Sequence, residues 1–512
     1  MPTLPSVIII SSAVGVICWQ LMVPPVVGLA NNGDFGKILG NFGLGAPREH
    51  AFVFADTKYN FDPQYFYKAG YSSSELVLVV PALAVSAVFS RGSRFDLRFM
   101  GLVHGTLFLL AIVLFVPLME DLAPMARYAL GFLVLFVFGD VAYVSYLNSF
   151  YMDVAAYLFL LLATVLYLRG LRWCRRLDWI MLVISCLLLV TSKPQHAALG
   201  FPIALLLLAQ AHRNRTQRAA WAFIALGLAG AAVVCLRYGA PPGYQAKGCF
   251  TVLFYRVLPN AENADRTLAE VGLDSSYRKY IGKHAYVDFT MEDPAFANAF
   301  SQRVSYPRLA RFFLTHPRDA YVALHESMSE AGRHRPALGN FDSRSGMAPW
   351  EESQTFARWS RWKRELFFDR GTRFLLCFGL LVLAVTALLV AERPALPRGV
   401  APGVATLIAM AIVELAISSF GDAIDVPRHH LLFYELFDLL LLTALYLAIR
   451  AAPKMKAPLG IHSNLVYRRP RDRVRPYLNS SGSGMVTLPV AAHSAPRARV
   501  VLNPALFMAS GS

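Results

Sequence analysis

An all-α polytopic membrane protein is the fold class the sequence predicts, and three observations predict it. The 512-residue chain is 56% hydrophobic, with mean hydropathy +0.44. Only 16% of it is charged, where soluble domains carry about 25%. Its apolar residues fall in long runs, and about 20 such residues cross a bilayer as a helix. The excess of 49 Lys+Arg over 33 Asp+Glu gives a net charge of +16. Basic residues collect in cytoplasmic loops and fix topology, so this excess does not call for a nucleic-acid partner. Cys18, Cys174, Cys186, Cys235, Cys249 and Cys377 show no CxxC spacing, and most lie in or beside apolar runs. A disulfide framework or a zinc site is therefore not expected.

The first apolar run is Leu4 to Ala30. Gly28-Leu29-Ala30 loosely matches a cleavage site, yet no Lys or Arg precedes the run, and it is longer than a signal core; an uncleaved helix is expected. At its exit stands Asn31-Asn32-Gly33-Asp34-Phe35-Gly36-Lys37, a turn of small and polar residues around one carboxylate. The stretch Ser74 to Ser90 is apolar but short, and it either spans or lies at the interface. Parity chooses between these. Spans over Leu97–Leu118, Tyr128–Leu147 and Val154–Leu168 lead to the basic Arg169–Arg176, which belongs in the cytoplasm. Three crossings earlier, Arg98 is outside, so 74–90 is interfacial and 31–98 is one long external loop.

Further spans are expected over Trp179–Val190, Ala197–Ala211, Ala219–Leu236, Phe374–Val390, Val400–Ser419 and Leu431–Ile449, about ten in all. The domains are then an N-terminal bundle with its external loop (1–237), an extracytoplasmic insert (238–373), C-terminal membrane helices (374–450) and a tail (451–512). Within the insert, Asp319–Ser329 reads as an amphipathic helix. The tail holds Lys454, Lys456, Arg468, Arg469, Arg471, Arg473, Arg475, Arg497 and Arg499 against Asp472, and Ser480 to Gly484 predicts flexibility.

Charge at bilayer depth costs about 2.5–3.5 kcal/mol, so polar clusters at helix ends are functional candidates. Four fall on the outer face: Asn32, Asp34 and Lys37; Tyr146 to Asp153, with Asn148, Tyr151 and Asp153; Thr191 to His196, with Lys193; and Gly421 to His430, with Asp422, Asp425, Arg428 and His429. Blander roles stay open for each. Asp153 suits a helix N-cap, Lys193 suits snorkelling, and the Asp422–Asp425 loop suits simple solvation. Together they suit chemistry on a lipid-linked phosphate, with a carboxylate base and cations for the leaving group. Tyr59, Phe61, Tyr65, Phe66 and Tyr67 add aromatic surface of the kind that stacks on sugars or forms an interfacial belt. No Walker, zinc or Ser-His-Asp motif is present.

One helix, an Asp opening a long external loop, several helices and a large external insert resemble the GT-C superfamily of integral membrane glycosyltransferases. Asn32-Gly33-Asp34-Phe35, Tyr146-Leu147-Asn148-Ser149-Phe150-Tyr151 and Gly421-Asp422 with Arg428-His429 resemble, more closely, bacterial glycan biosynthesis hexose transferases. That group tends to have Gly-Glu after the Asn-Ser-Phe-Tyr run, where this chain has Met152-Asp153. The resemblance implies a helical bundle with Asp34 as catalytic base and Lys193, Arg428 and His429 around the donor phosphate. It implies a polyprenyl-phosphate sugar donor, an inverting displacement and a cell-envelope glycan or lipid-linked acceptor. The reaction would take place on the outer face of the bacterial inner membrane. Asp34 with Asp153 or Asp422 leaves room for a divalent cation, Mg or Mn, through oxygen ligands. The rival reading is a transporter or flippase of a lipid-linked saccharide, for which inverted repeats and broken helices would be the signal.

Overall fold

The computed structural model describes residues 3–45, 48–67, 70–89, 94–213, 215–287, 290–392 and 396–451. The basic tail beyond Ala451, Arg91 and Arg393 lie outside the described residues. The fold is 73% helical, an all-α polytopic membrane protein. In chain order the α-helices are α1 Leu4–Met22, α2 Gly36–Leu39, α3 Glu75–Phe89, α4 Arg98–Phe115, α5 Pro124–Phe138, α6 Val141–Leu147, α7 Asp153–Trp173, α8 Arg176–Val190, α9 Gly200–Arg213 and α10 Arg218–Tyr238. Next come α11 Tyr244–Thr251, α12 Ala264–Glu270, α13 Pro294–Arg303, α14 Tyr306–Thr315, α15 Pro317–Ala331 and α16 Arg358–Phe367. The last four are α17 Gly371–Glu392, α18 Val400–Phe420, α19 Val426–His429 and α20 Leu431–Ala451.

Among the described residues seven helices are long and apolar enough to cross a membrane, and an eighth if α5 and α6 count as one span. The expected spans at Trp179–Val190 and Ala197–Ala211 are helical, but α8 has 15 residues and α9 has 14, short of the ~17 a crossing needs. The expected Tyr128–Leu147 span is bent by 62° between α5 and α6. Gly139 and Asp140 stand at the break, where Asp140 accepts from Ala142 N at 2.9 Å and caps α6. Likewise the first run is not one helix. It stops at Met22, because Pro24 and Pro25 disfavour helical geometry before them.

Burial separates the centre from the lipid-facing rim. In α7, 83% of the span is buried, whereas α17 and α18 bury 22% each. A helix apolar on all sides belongs in a core, and the α7 run Val154 to Ala163 is buried throughout. The next most buried span is α20, at 61%. Both central helices begin at the same end of the bundle, and that end carries the site.

The first loop is held there by a small antiparallel sheet of β1 Leu44–Gly45, β2 Lys58–Phe61 and β3 Arg94–Asp96, in that order. Phe35, Tyr59 and Phe95 all pack against Phe150, with ring centroids 5.2–5.8 Å apart. Before α3, Ser73 Oγ donates to Ser192 O at 2.5 Å and Ser74 N to Thr191 O at 3.0 Å. After α3, β3 pairs with β2. The described chain before α3 and the β3 strand after it thus lie at the same end of the bundle.

The insert has its own core, built on Phe250, Phe254, Tyr277, Tyr280, Phe296 and Phe300. The expected amphipathic segment lies in α15. Backbone bonds lace the insert to the end of the first apolar run and to the first loop: Gly28 N to Asn340 O, Ala30 N to Gly339 O and Ala55 N to Phe341 O, each at 2.9 Å. Gly339 is required, since a Cβ there would sit 1.8 Å from Val53 O.

Candidate functional site

The Asp34 turn is shaped by its own asparagines. Asn31 Oδ1 accepts from Gly33 N at 2.8 Å and Phe35 N at 3.1 Å, and Asn32 Oδ1 accepts from Asp34 N at 3.1 Å. Gly33 has φ of 103°, which side chains rarely adopt. The turn is anchored from below. Tyr151 OH donates to Ala30 O at 2.7 Å and accepts from Asn32 N at 3.1 Å. Asn148 is structural here, since its Nδ2 donates to Leu21 O at 3.1 Å and Val27 O at 2.8 Å and so pins the exit of α1.

Arg428, on α19, joins three of the four clusters. Its Nη2 meets Asp34 Oδ2 at 2.8 Å, its Nη1 meets Asp153 Oδ2 at 3.1 Å, and its Nε meets Asp425 Oδ2 at 2.5 Å. Its guanidinium also lies 4.9 Å from the Tyr151 ring centre. Asn32 Nδ2 donates to Asp425 Oδ2 at 2.7 Å, which closes the ring. A planar fork suits this task in a way that a lysine ammonium does not.

The fourth cluster reaches the same centre through Asp153. Lys193 Nζ lies 2.9 Å and His196 Nε2 3.3 Å from Asp153 Oδ1. Lys193 Nζ also donates to His429 Nδ1 at 3.3 Å, and His429 Nε2 lies 3.6 Å from Asp422 Oδ2. Behind them, His196 Nδ1 is 2.8 Å from Glu414 Oε1 on α18. Asp153 does not cap α7, because Met152 holds the cap position. Lys193 does not snorkel, being 1% exposed.

Burial sorts these groups into a deeper and a shallower layer. Asp153, Lys193, Arg428 and His429 are all buried. Asp34, Lys37, Asp422 and Asp425 keep side-chain exposures of 17–21%. Burial raises a carboxyl pKa, but at Asp34 the nearby Lys37 and Arg428 outweigh burial and hold it well below the usual range. At Asp422 burial prevails over the Ala423 and Ile424 amides, and the pKa is raised. Burial, with Lys193 and Arg428 beside it, keeps His429 neutral. Lys37 Nζ is 2.6 Å from Asp34 Oδ1 and sits over the rings of Tyr71 at 5.0 Å and Tyr244 at 5.6 Å.

Geometry of this kind invites comparison with known proteins, and one family model matches residues 3–462. It is described as the YfdI N-terminal transmembrane domain. The chain belongs to that family. No curated protein and no solved structure matches it.

In this YfdI-family chain, then, the sequence-derived candidates Asp34, Lys37, Asn32, Tyr151, Asp153, Lys193, Asp422, Asp425, Arg428 and His429 share one network, with Asn148 beneath it. The three expected phosphate ligands are together, but they are buried and already paired. Sequence reasoning gave His196 no role and passed over Glu414. An acid in the apolar run of α18 was a usable signal for Glu414. It also passed over Glu435 and Asp438 in α20, where Asp438 accepts from Tyr143, Trp359 and Lys363 at 2.7–2.9 Å. Tyr71 and Tyr244 carried no signal that sets them apart from other interfacial tyrosines.

Proposed function

We propose that this chain is a membrane glycosyltransferase, moving a hexose from a polyprenyl-phosphate donor to a cell-envelope glycan or lipid-linked acceptor. The proposed setting is the extracytoplasmic face of the bacterial inner membrane. The family it belongs to is GT-C-like. The observation that carries the reading is the half-open Asp34 carboxylate, held ionised between Lys37 and Arg428 at the head of the two central helices.

In this reading Asp34 takes the proton of the acceptor hydroxyl as that oxygen bonds to the anomeric carbon. The bond from that carbon to the phosphate oxygen breaks, its electron pair leaves with the phosphate, and the configuration inverts. Lys37 is more exposed than Lys193 or Arg428. The phosphate engages Lys193, Arg428 and His429 by loosening the hold of Asp34 or Asp425 on Arg428. For a divalent cation the residues fit poorly, because Asp34, Asp153 and Asp425 already converge on the Arg428 guanidinium. Among the described residues no other group of His, Cys, Asp or Glu is arranged to hold one. No step is routed through a metal.

The test is transfer of labelled hexose from polyprenyl-phosphate donors to a glycan extract, with purified protein in nanodiscs. Asp34→Asn should stay in the membrane and lose transfer. Full activity in that variant would remove Asp34 from the mechanism, and donor binding with no turnover by either protein would favour a carrier.

A further inference from the structure

Both ring nitrogens of His196 meet carboxylates, and the proposed reaction gives neither contact a task. Nδ1 lies 2.8 Å from Glu414 Oε1, and Nε2 lies 3.3 Å from Asp153 Oδ1. All three side chains are buried. A neutral imidazole donates from one nitrogen only, so two carboxylate acceptors call for the doubly protonated ring. Glu414 points the same way. It stands within the span α18, its Oε2 meets no donor, and among the described residues His196 is its one ion-pair partner. An ionised acid at that depth persists by pairing with a cation. Burial and the nearby Lys193 disfavour the charged ring, but Glu414 and Asp153 outweigh them and raise the His196 pKa.

We infer that His196, fixed as an imidazolium by Glu414, is a positioning residue that keeps Asp153 paired while Lys193 turns to an anionic ligand. The shared oxygen is the reason. Lys193 Nζ lies 2.9 Å from the same Asp153 Oδ1 that His196 meets. An anion that draws Lys193 away would leave that oxygen to the remaining donor, and a buried carboxylate stripped of its cation is strongly disfavoured. His196 does not follow Lys193, because Glu414 holds its other nitrogen. The charged groups facing the ring, among the described residues, are Asp153 from α7, Glu414 from α18 and Lys193 from its own segment. Calling the anion the donor phosphate rests on the transferase reading; the charge on His196 does not.

Full-length protein in nanodiscs is titrated with farnesyl methyl phosphate from about pH 5 to about pH 9, with empty nanodiscs subtracted. This probe is a lipid phosphodiester whose single negative charge is constant over that range. Wild-type affinity should hold at low pH and fall as pH rises through the folded pKa of His196, since a raised pKa acts below its value. Glu414→Gln keeps a hydrogen-bonding side chain but removes the charge, so the fall should move to lower pH by about one unit. His196→Gln should bind roughly tenfold more weakly at neutral pH, the scale of one charge-assisted bond, and lack this fall. Titration of Lys193 and Asp422 persists in His196→Gln and is subtracted. A merely structural tie would lower the thermal midpoint without moving the pH at which binding falls. In wild type labelled with 15N-histidine, one doubly protonated ring should also persist above neutral pH without ligand. Loss of that signal at neutral pH, or equal binding by His196→Gln, would overturn the inference. Phosphodiester binding with an unmoved profile in Glu414→Gln would place the proton on Glu414, which overturns the inference and leaves the transferase standing. No binding by wild type, with the ring signal present, sinks the phosphate reading and leaves His196 a fixed counterion of Asp153.

Discussion

Arg428 stands between three carboxylates, and its removal is the sharpest perturbation available at the scale of single residues. Breaking one buried pair costs about 3–5 kcal/mol, because the partner charge stays behind. Arg428→Met should therefore lower the unfolding midpoint strongly, and adding Asp425→Asn should recover part of the loss. A double-mutant cycle by thermal unfolding in detergent checks this; independent, additive losses would refute the shared network. Asp34 gives a pH signature of known sign. Its pKa is depressed in the folded chain, so its ionised form adds stability that is complete above the unfolded value of about 3.9 and is lost as pH falls below it. The gap in midpoint between wild type and Asp34→Asn should be constant from neutral pH to about 5 and close below about 4. A gap that instead widens in acid would mean that the carboxyl is not held ionised.

Among the elements, the break between α5 and α6 has a specific support. Asp140 caps α6 with one oxygen and accepts from Ser360 N at 3.0 Å with the other, so it joins the bend to the start of α16. Asp140→Ala should cost about 1–2 kcal/mol as a lost cap and should loosen α16, read as faster amide exchange at residues 357–361. Unchanged exchange there would show that the bend stands without this tie. The bend also marks where periodicity misleads. Tyr128 to Leu147 is apolar on average, so length suggested one helix; the glycine at position 139 and the capping acid after it are short-range signals that a hydropathy average hides. The same averaging ran α1 past Pro24.

Over the whole molecule, the long apolar runs made the fold class legible, since the bilayer admits few alternatives. The site was legible for a related reason: charges near apolar runs are costly, and Asp34, Asp153, Lys193 and Arg428 announced themselves by position. What the sequence did not disclose is direction. It placed Lys193, Arg428 and His429 around a phosphate, but only packing shows them buried, each already paired. Pairing between distant positions, as of His196 with Glu414, has no local trace. Orientation itself remains to be tested by cysteine labelling in a cysteine-free background. Cysteines at Ser72 and Arg94 flank α3 and should react with an impermeant reagent from the same side of sealed vesicles. Labelling from opposite sides would make α3 a crossing.

The reach of Arg428 along the chain sets an order of events during synthesis. Asp34 and Asp153 emerge early, and Lys193 and His196 follow soon after to meet Asp153. The guanidinium that both acids share arrives only once α18 has been made, most of the chain later. Until then Asp34 has Lys37 alone beside it. A chain that ends in α18 therefore leaves a bundle whose carboxylates lack their common counterion.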